Sequence, residues 1–227
     1  MKTFNAMLRG MGGMLFHPRR SARELAADAR LRPVATLVIA FGLLLSLGFL
    51  VSYLKHDYPP PPEVLDVWVA HWGERVMLPF FNLPPENYRG FQAAIMLPFA
   101  LALWMLMAGT ARLLAVLFDG KHSYETYLRL TGFTYFTIGL IAAFLDFLYS
   151  GVFSAFVLDG LRGAYGPLVE GLLQAFMPLE YTFLYGLLGV NTVLAVREIE
   201  AFPWWQAALV GLAVFAWPMA LVASVLR

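Results

Sequence analysis

The chain has 227 residues, 60% of them hydrophobic and only 14% charged, with 16 Lys and Arg against 15 Asp and Glu and a mean hydropathy of +0.67. A soluble domain of this size needs far more charged surface, so composition points to a polytopic membrane protein folded as one compact unit. The lack of cysteine excludes disulfides, thiol catalysis, zinc-thiolate sites and iron–sulfur clusters.

Residues 1–33 form a basic segment ahead of any span. Phe4, Met7, Leu8, Met11, Met14 and Leu15 recur at helical spacing, with Lys2 and Arg9 among them and Gly10, Gly12 and Gly13 weakening the helix. We expect an amphipathic helix lying at the membrane interface. No cleavage site follows a short apolar core, so the first span is expected to stay as an uncleaved anchor. Ser21 and Glu24 have capping-box spacing, which predicts a short helix over Glu24 to Ala29. Pro33 ends that helix or begins the first span.

The first span, 34–54, is 21 uncharged residues, about 31 Å of helix and enough to cross a bilayer core. Beyond it, Pro59 to Pro62 read as a stiff spacer. Glu63 to Leu78 reads as an amphipathic segment with Leu65, Trp68, Trp72 and Val76 on one face. That segment either lies flat on the outer surface or packs on the bundle top. The second span, 91–118, carries Pro98 as a candidate kink and Arg112 near its end. The turn Asp119-Gly120-Lys121-His122-Ser123-Tyr124 leads to the third span, 130–149. Residues 150–177 are too broken to cross and read as interfacial or re-entrant. The fourth span is 178–196, and the fifth, 203–226, is uncharged and opens with Pro203.

The predicted fold is therefore all-α: a polytopic bundle of five transmembrane helices over 34–227, with interfacial amphipathic helices and a separate N-terminal segment, 1–33. With the N-terminus in the cytoplasm, eleven Lys and Arg fall on that side and five on the other. The positive-inside rule then puts the N-terminus in and the C-terminus outside.

The order of features resembles a known family. Phe16-His17-Pro18-Arg19-Arg20 through Glu24-Leu25 leads into the first span. Arg112-Leu113-Leu114 precedes the turn Asp119 to Thr126, Ala195-Val196-Arg197-Glu198 ends the fourth span, and Trp204-Trp205-Gln206-Ala207-Ala208 opens the fifth. This is similar to the bacterial branch of the Yip family of five-span membrane proteins. The family's turn is close to Gly-Gly-Lys-x-Ser-Phe, from which Asp119 and Tyr124 depart. The resemblance implies a bacterial inner-membrane protein, some of whose relatives resemble accessory components of export systems. Eukaryotic members take part in vesicle trafficking and bind prenylated GTPases. Many of those carry Asp-Leu-Tyr-Gly-Pro before their first span, whereas here Tyr165-Gly166-Pro167 lies between the third and fourth.

No phosphate loop, nucleophile elbow or zinc-protease helix is present in the sequence. His17, His56, His71 and His122 lie in or beside loops. His71 and Glu74, even with His56 and Asp57 near, are too few ligands for a metal site. We therefore expect no enzyme, no cofactor, no metal and no nucleic-acid partner. The ionisable and polar residues of the spans are the candidate site, because such groups are costly in a bilayer. Asp146 lies about 24 Å along the third span from Leu130, and Glu180 opens the fourth at a similar level. These carboxylates could take a proton or a cation, reach interfacial water, or pair with Arg162. Arg112 can snorkel to phosphates or pair with Asp119. Asn191, near mid-membrane, points to an interhelical hydrogen bond. Thr131, Thr134 and Thr137 form one stripe suited to back-bonding onto their own helix. Small residues at Gly42 and Ser46, Ala207 and Gly211, and Ala216, Ala220 and Ser224 mark close packing within the bundle or a homo-oligomer seam. Two functions stand: a membrane scaffold or accessory protein with a membrane-protein partner such as an exporter, or a small transporter or channel built on Asp146 and Glu180.

Overall fold

The computed structural model describes residues 2–54, 85–147 and 182–226. Among these residues there are seven helices and no strand. They are α1 (Lys2–Phe16), α2 (Pro18–Ala27), α3 (Arg32–Leu54), α4 (Pro85–Val116), α5 (Tyr124–Asp146), α6 (Thr182–Glu200) and α7 (Trp204–Leu226). The proline spacer, the tryptophan-bearing segment, residues 150–177, Glu180, and the group His56, Asp57, His71 and Glu74 fall outside the described residues.

Among the described residues four helices are long and apolar enough to cross a membrane: α3 over Arg32–Val51, α4 over Arg89–Val116, α5 over Tyr124–Leu145 and α6 over Thr182–Glu200. The apolar stretch Trp204–Val214 opens α7, whose backbone stays helical for 23 residues. Pro98 lies inside α4, which continues through it.

Helix α5 is the centre of the bundle. Every residue from Thr126 to Ile138 is buried, so no face is left to lipid over more than three turns. Its start is set by chemistry rather than hydropathy. The Ser123 hydroxyl accepts from the Thr126 amide at 3.4 Å, a side-chain cap that begins the helix at Tyr124, six residues before the apolar run. Gly132 allows the closest approach. A Cβ there would collide with Val34 Cγ2 of α3 and stand 2.9 Å from Trp104 Nε1 of α4. The bare backbone lets the Trp104 indole donate to the Leu128 carbonyl at 2.7 Å. Three helices thus meet at one missing methyl.

Two of the small-residue pairs are used within the chain. A Cβ on Gly42 would stand 3.0 Å from the Leu97 Cα, and one on Gly211 3.0 Å from the Val193 backbone. Gly42 thus brings α3 onto α4, and Gly211 brings α7 onto α6.

The N-terminal segment differs from expectation in its caps. Ser21 does not start α2. The helix begins one turn earlier, at Pro18, with His17 in the cap position and no side-chain cap bond. Proline suits that first turn because its fixed φ is already helical and its missing amide is not needed. Ser21 is buried against Gly13 of α1, and Glu24 pairs instead with Arg20 at 2.8 Å on the exposed face. Pro33 sits in the first turn of α3, so it opens the span.

Candidate functional site

The polar chemistry gathers where α1 and α2 meet the ends of α5 and α6. Helix α1 buries Met7 and Met14. Its glycines serve as contacts: a Cβ on Gly10 would stand 2.5 Å from the Phe133 ring of α5. The last turn of α1 presents a problem that the sequence itself creates. The Met14 carbonyl would accept from the amide four residues on, but that residue is Pro18, which has no N–H. Asn191 of α6 supplies the donor: its Nδ2 reaches the Met14 oxygen at 3.0 Å, and its side chain is buried. Asn191 stands nine residues, about 13 Å, before Glu200 along α6. Met14 is itself buried, so an orphan carbonyl there would have no water to turn to. The interhelical bond expected of Asn191 exists, and its partner is the N-terminal helix.

A second clamp holds the loop between α4 and α5. The Glu200 carboxylate, with its side chain 2% exposed, accepts from the Lys121 amide at 2.7 Å, the His122 amide at 3.2 Å and the Tyr127 hydroxyl at 2.7 Å. His122 Nδ1 stands 3.3 Å from the same carboxylate but outside hydrogen-bonding geometry. Backbone amides and the phenol therefore carry the clamp. On either side of it the backbone is left-handed at non-glycine residues, Asp119 with φ 60° and Ala201 with φ 56°. Such conformations persist where surrounding contacts over-determine them. At Asp119 this explains why a family pattern would carry glycine. The Gly120 amide bonds back to the Ala115 carbonyl at 2.8 Å, closing the end of α4.

Arg112 joins this loop rather than Asp119. Its Nη1 donates to the Gly120 carbonyl at 2.9 Å, and no Arg112–Asp119 ion pair occurs among the described residues. The loop turns its carbonyl toward the guanidinium and leaves the Asp119 carboxyl exposed. Arg129, on the first turns of α5, is 4% exposed. It ties α2 to α5 through Nε on the Leu25 carbonyl at 2.9 Å and Nη2 on the Thr126 hydroxyl at 3.2 Å. Thr131 and Thr134 are back-bonded, to the Tyr127 and Leu130 carbonyls at 2.7 and 2.9 Å. The buried Thr137 hydroxyl has no such bond. An Arg23–Glu198 ion pair at 2.9 Å borders a cleft of about 330 Å³ that His122 and Ile199 also line.

Of the four polar residues singled out in the spans, Asn191 and Arg112 both reach this end, on separate clamps. Asp146 is the last residue of α5, and Glu180 lies outside the described residues. Sequence reasoning missed Glu200 and treated Arg129 as one more positive charge. A readable signal for Glu200 was its place as the last acidic residue before Ala201-Phe202-Pro203, where the chain must turn. For Asn191 it was the proline four residues after Met14.

An all-helical bundle whose described residues include four helices of membrane-crossing length and hydropathy is an integral membrane protein. A family model described as the Yip1 domain matches residues 12–226, a stretch that holds both clamps, and the chain belongs to that family. Searches among curated proteins and solved structures returned no match.

Proposed function

We propose that this protein is a non-enzymatic membrane scaffold or accessory component, acting through helix and lipid contacts alongside a membrane-protein partner such as an exporter. The observation that carries this reading is the use made of the buried polar groups. Asn191, Arg112, Arg129 and Glu200 are each bonded to main-chain groups of another segment. They hold helices and a loop in place instead of lining a path. The competing transporter draws on Asp146 and Glu180, which stand apart in the sequence from the residues of both clamps. In the proposed topology α7 is the fifth span of a bacterial inner-membrane protein, with α1 and α2 on the cytoplasmic side and the C-terminus outside. The charge asymmetry and the family membership support it.

Mild cross-linking in native membranes followed by purification tests the reading. A second membrane protein should be retained at constant stoichiometry. Recovery of this chain alone, together with solute flux in proteoliposomes that Asp146→Asn weakens, would reverse the choice. Because the chain has no cysteine, single cysteines placed at Lys121 and beyond Leu226 report their sides directly. Labelling of both from one side excludes the topology.

A further inference from the structure

Arg197 is a cation at this end that neither clamp uses. It stands in the last turn of α6, with its guanidinium carbon 4.1 Å from the centre of the Trp204 ring. Its Nε is buried and has no hydrogen-bond partner, and among the described residues no carboxylate pairs with it. Its neighbour Glu198 is taken by Arg23 at 2.9 Å, and Glu200 by the loop amides and Tyr127. A guanidinium stacked on an indole is held in place, and with Nε buried it is the terminal amino groups that can meet a planar or tetrahedral anion.

The surroundings identify the chemistry of that anion. Trp204 and Trp205 are 52% and 61% exposed, and tryptophans at a helix end sit at headgroup level. Trp205 is fixed there by an edge contact with Phe118 at 5.4 Å. Below Arg197 on α6, Val190 and Phe183 are exposed, at seven and fourteen residues' distance, with exposed Gly186 between them. A seven-residue step returns almost to the same face of a helix. A cation therefore caps an uncharged stripe about 21 Å long. A free anion would use the first of these features but not the second. An amphiphile with a phosphate head and an acyl chain uses both.

We propose that Arg197 and Trp204 form a binding site for an anionic phospholipid, one whose phosphodiester carries no cation of its own, with its acyl chain lying along Val190, Gly186 and Phe183. The site rests on the membrane placement of α6 and α7, not on a protein partner. Loss of the accessory reading would leave it standing.

Native mass spectrometry of the delipidated, detergent-held protein, titrated with phosphatidylglycerol or phosphatidylcholine, tests it. Wild type should retain phosphatidylglycerol preferentially. Arg197→Gln should lower that retention about fivefold, the effect of one basic residue at an anionic surface, and Trp204→Leu should lower it by a smaller factor. Arg20→Gln, an exposed arginine paired with Glu24, should change nothing. Should Arg197→Gln fail to fold, Trp204→Leu decides, since it leaves the charge in place and removes the platform. Equal retention of the two lipids by wild type overturns the proposal. So does phosphatidylglycerol retention that neither variant lowers, or displacement of the lipid by an equal concentration of inorganic phosphate.

Discussion

Replacing Glu200 with glutamine tests whether the loop between α4 and α5 is held by charge and not by shape. Glutamine has the same outline but only one acceptor oxygen. Placed at Oε1, that oxygen keeps the His122 amide and the Tyr127 hydroxyl. The amide group then faces the Lys121 N–H, donor against donor. Each surviving bond falls from a charged to a neutral hydrogen bond, a loss of about 1 kcal/mol, and the stranded buried amide costs about 1–3 kcal/mol. Removing a buried charge returns part of its desolvation cost, so we expect a net destabilisation of about 2 kcal/mol. For a chain of this length that lowers Tm by about 4–8 °C. Tyr127→Phe removes one donor and leaves the carboxylate its two amides, so its effect should be about half as large. Tryptophan fluorescence in detergent follows the melting. Hydrogen exchange at Lys121 and His122 gives the local readout: in Glu200→Gln the Lys121 amide should lose protection and His122 lose less, while both should keep it in Tyr127→Phe. If the glutamine variant melts with wild type and its loop amides stay protected, the carboxylate is not what fixes the loop.

Four other substitutions probe separate links. Asn191→Leu should leave the Met14 carbonyl without a partner and release α1, costing about 1–3 kcal/mol; the cost should shrink in a Pro18→Ala background, where the chain recovers its own amide, and equal costs in both backgrounds would contradict the capping account. Gly132→Ala should force Val34 and the Trp104 indole apart and destabilise by about 1–3 kcal/mol, read as a lower Tm and a changed tryptophan emission; an unchanged spectrum would show that the three-helix contact is looser than described. Ala201→Gly should relieve the left-handed backbone and stabilise by about 0.5–1 kcal/mol, and a fall in Tm would count against strain at that turn. Asp28, outside the spans, is held below the ordinary aspartate value chiefly by its side-chain hydrogen bond from Arg30. A depressed carboxyl contributes stability above its unfolded value that is lost as pH falls through the folded one. Asp28→Asn should therefore flatten the acid limb of stability just below pH 4, and an unaltered limb would dismiss the pair.

How far these features could be read in advance depends on whether their causes were local. Span-length helices and the membrane address follow from runs of apolar residues, each visible in a window of about twenty positions. The start of α2 at Pro18 was within reach, since proline in a first turn competes with the Ser21–Glu24 pattern and here wins. The centrality of α5 was not. A helix buried on all sides and one bathed in lipid share the same composition, and only the packing of Gly132 against α3 and α4 separates them. Asn191 could be placed in depth, but its acceptor lies 177 residues away, beyond any periodicity. Glu200 was passed over because a carboxylate at a span end looks solvated until the amides of Lys121 and His122 are brought to it. Arg129 was counted for its sign, while its role comes from the geometry of the Leu25 carbonyl.

The Pro18–Met14–Asn191 arrangement also bears on how the protein is made. The acceptor is synthesised among the first residues of the chain, and its donor is not made until α6 has emerged. Until Asn191 is made the last turn of α1 lacks this bond, although Gly10 can already rest on the Phe133 ring of α5. Chains truncated before Asn191 should therefore display an N-terminus more open to proteases than that of the full-length protein.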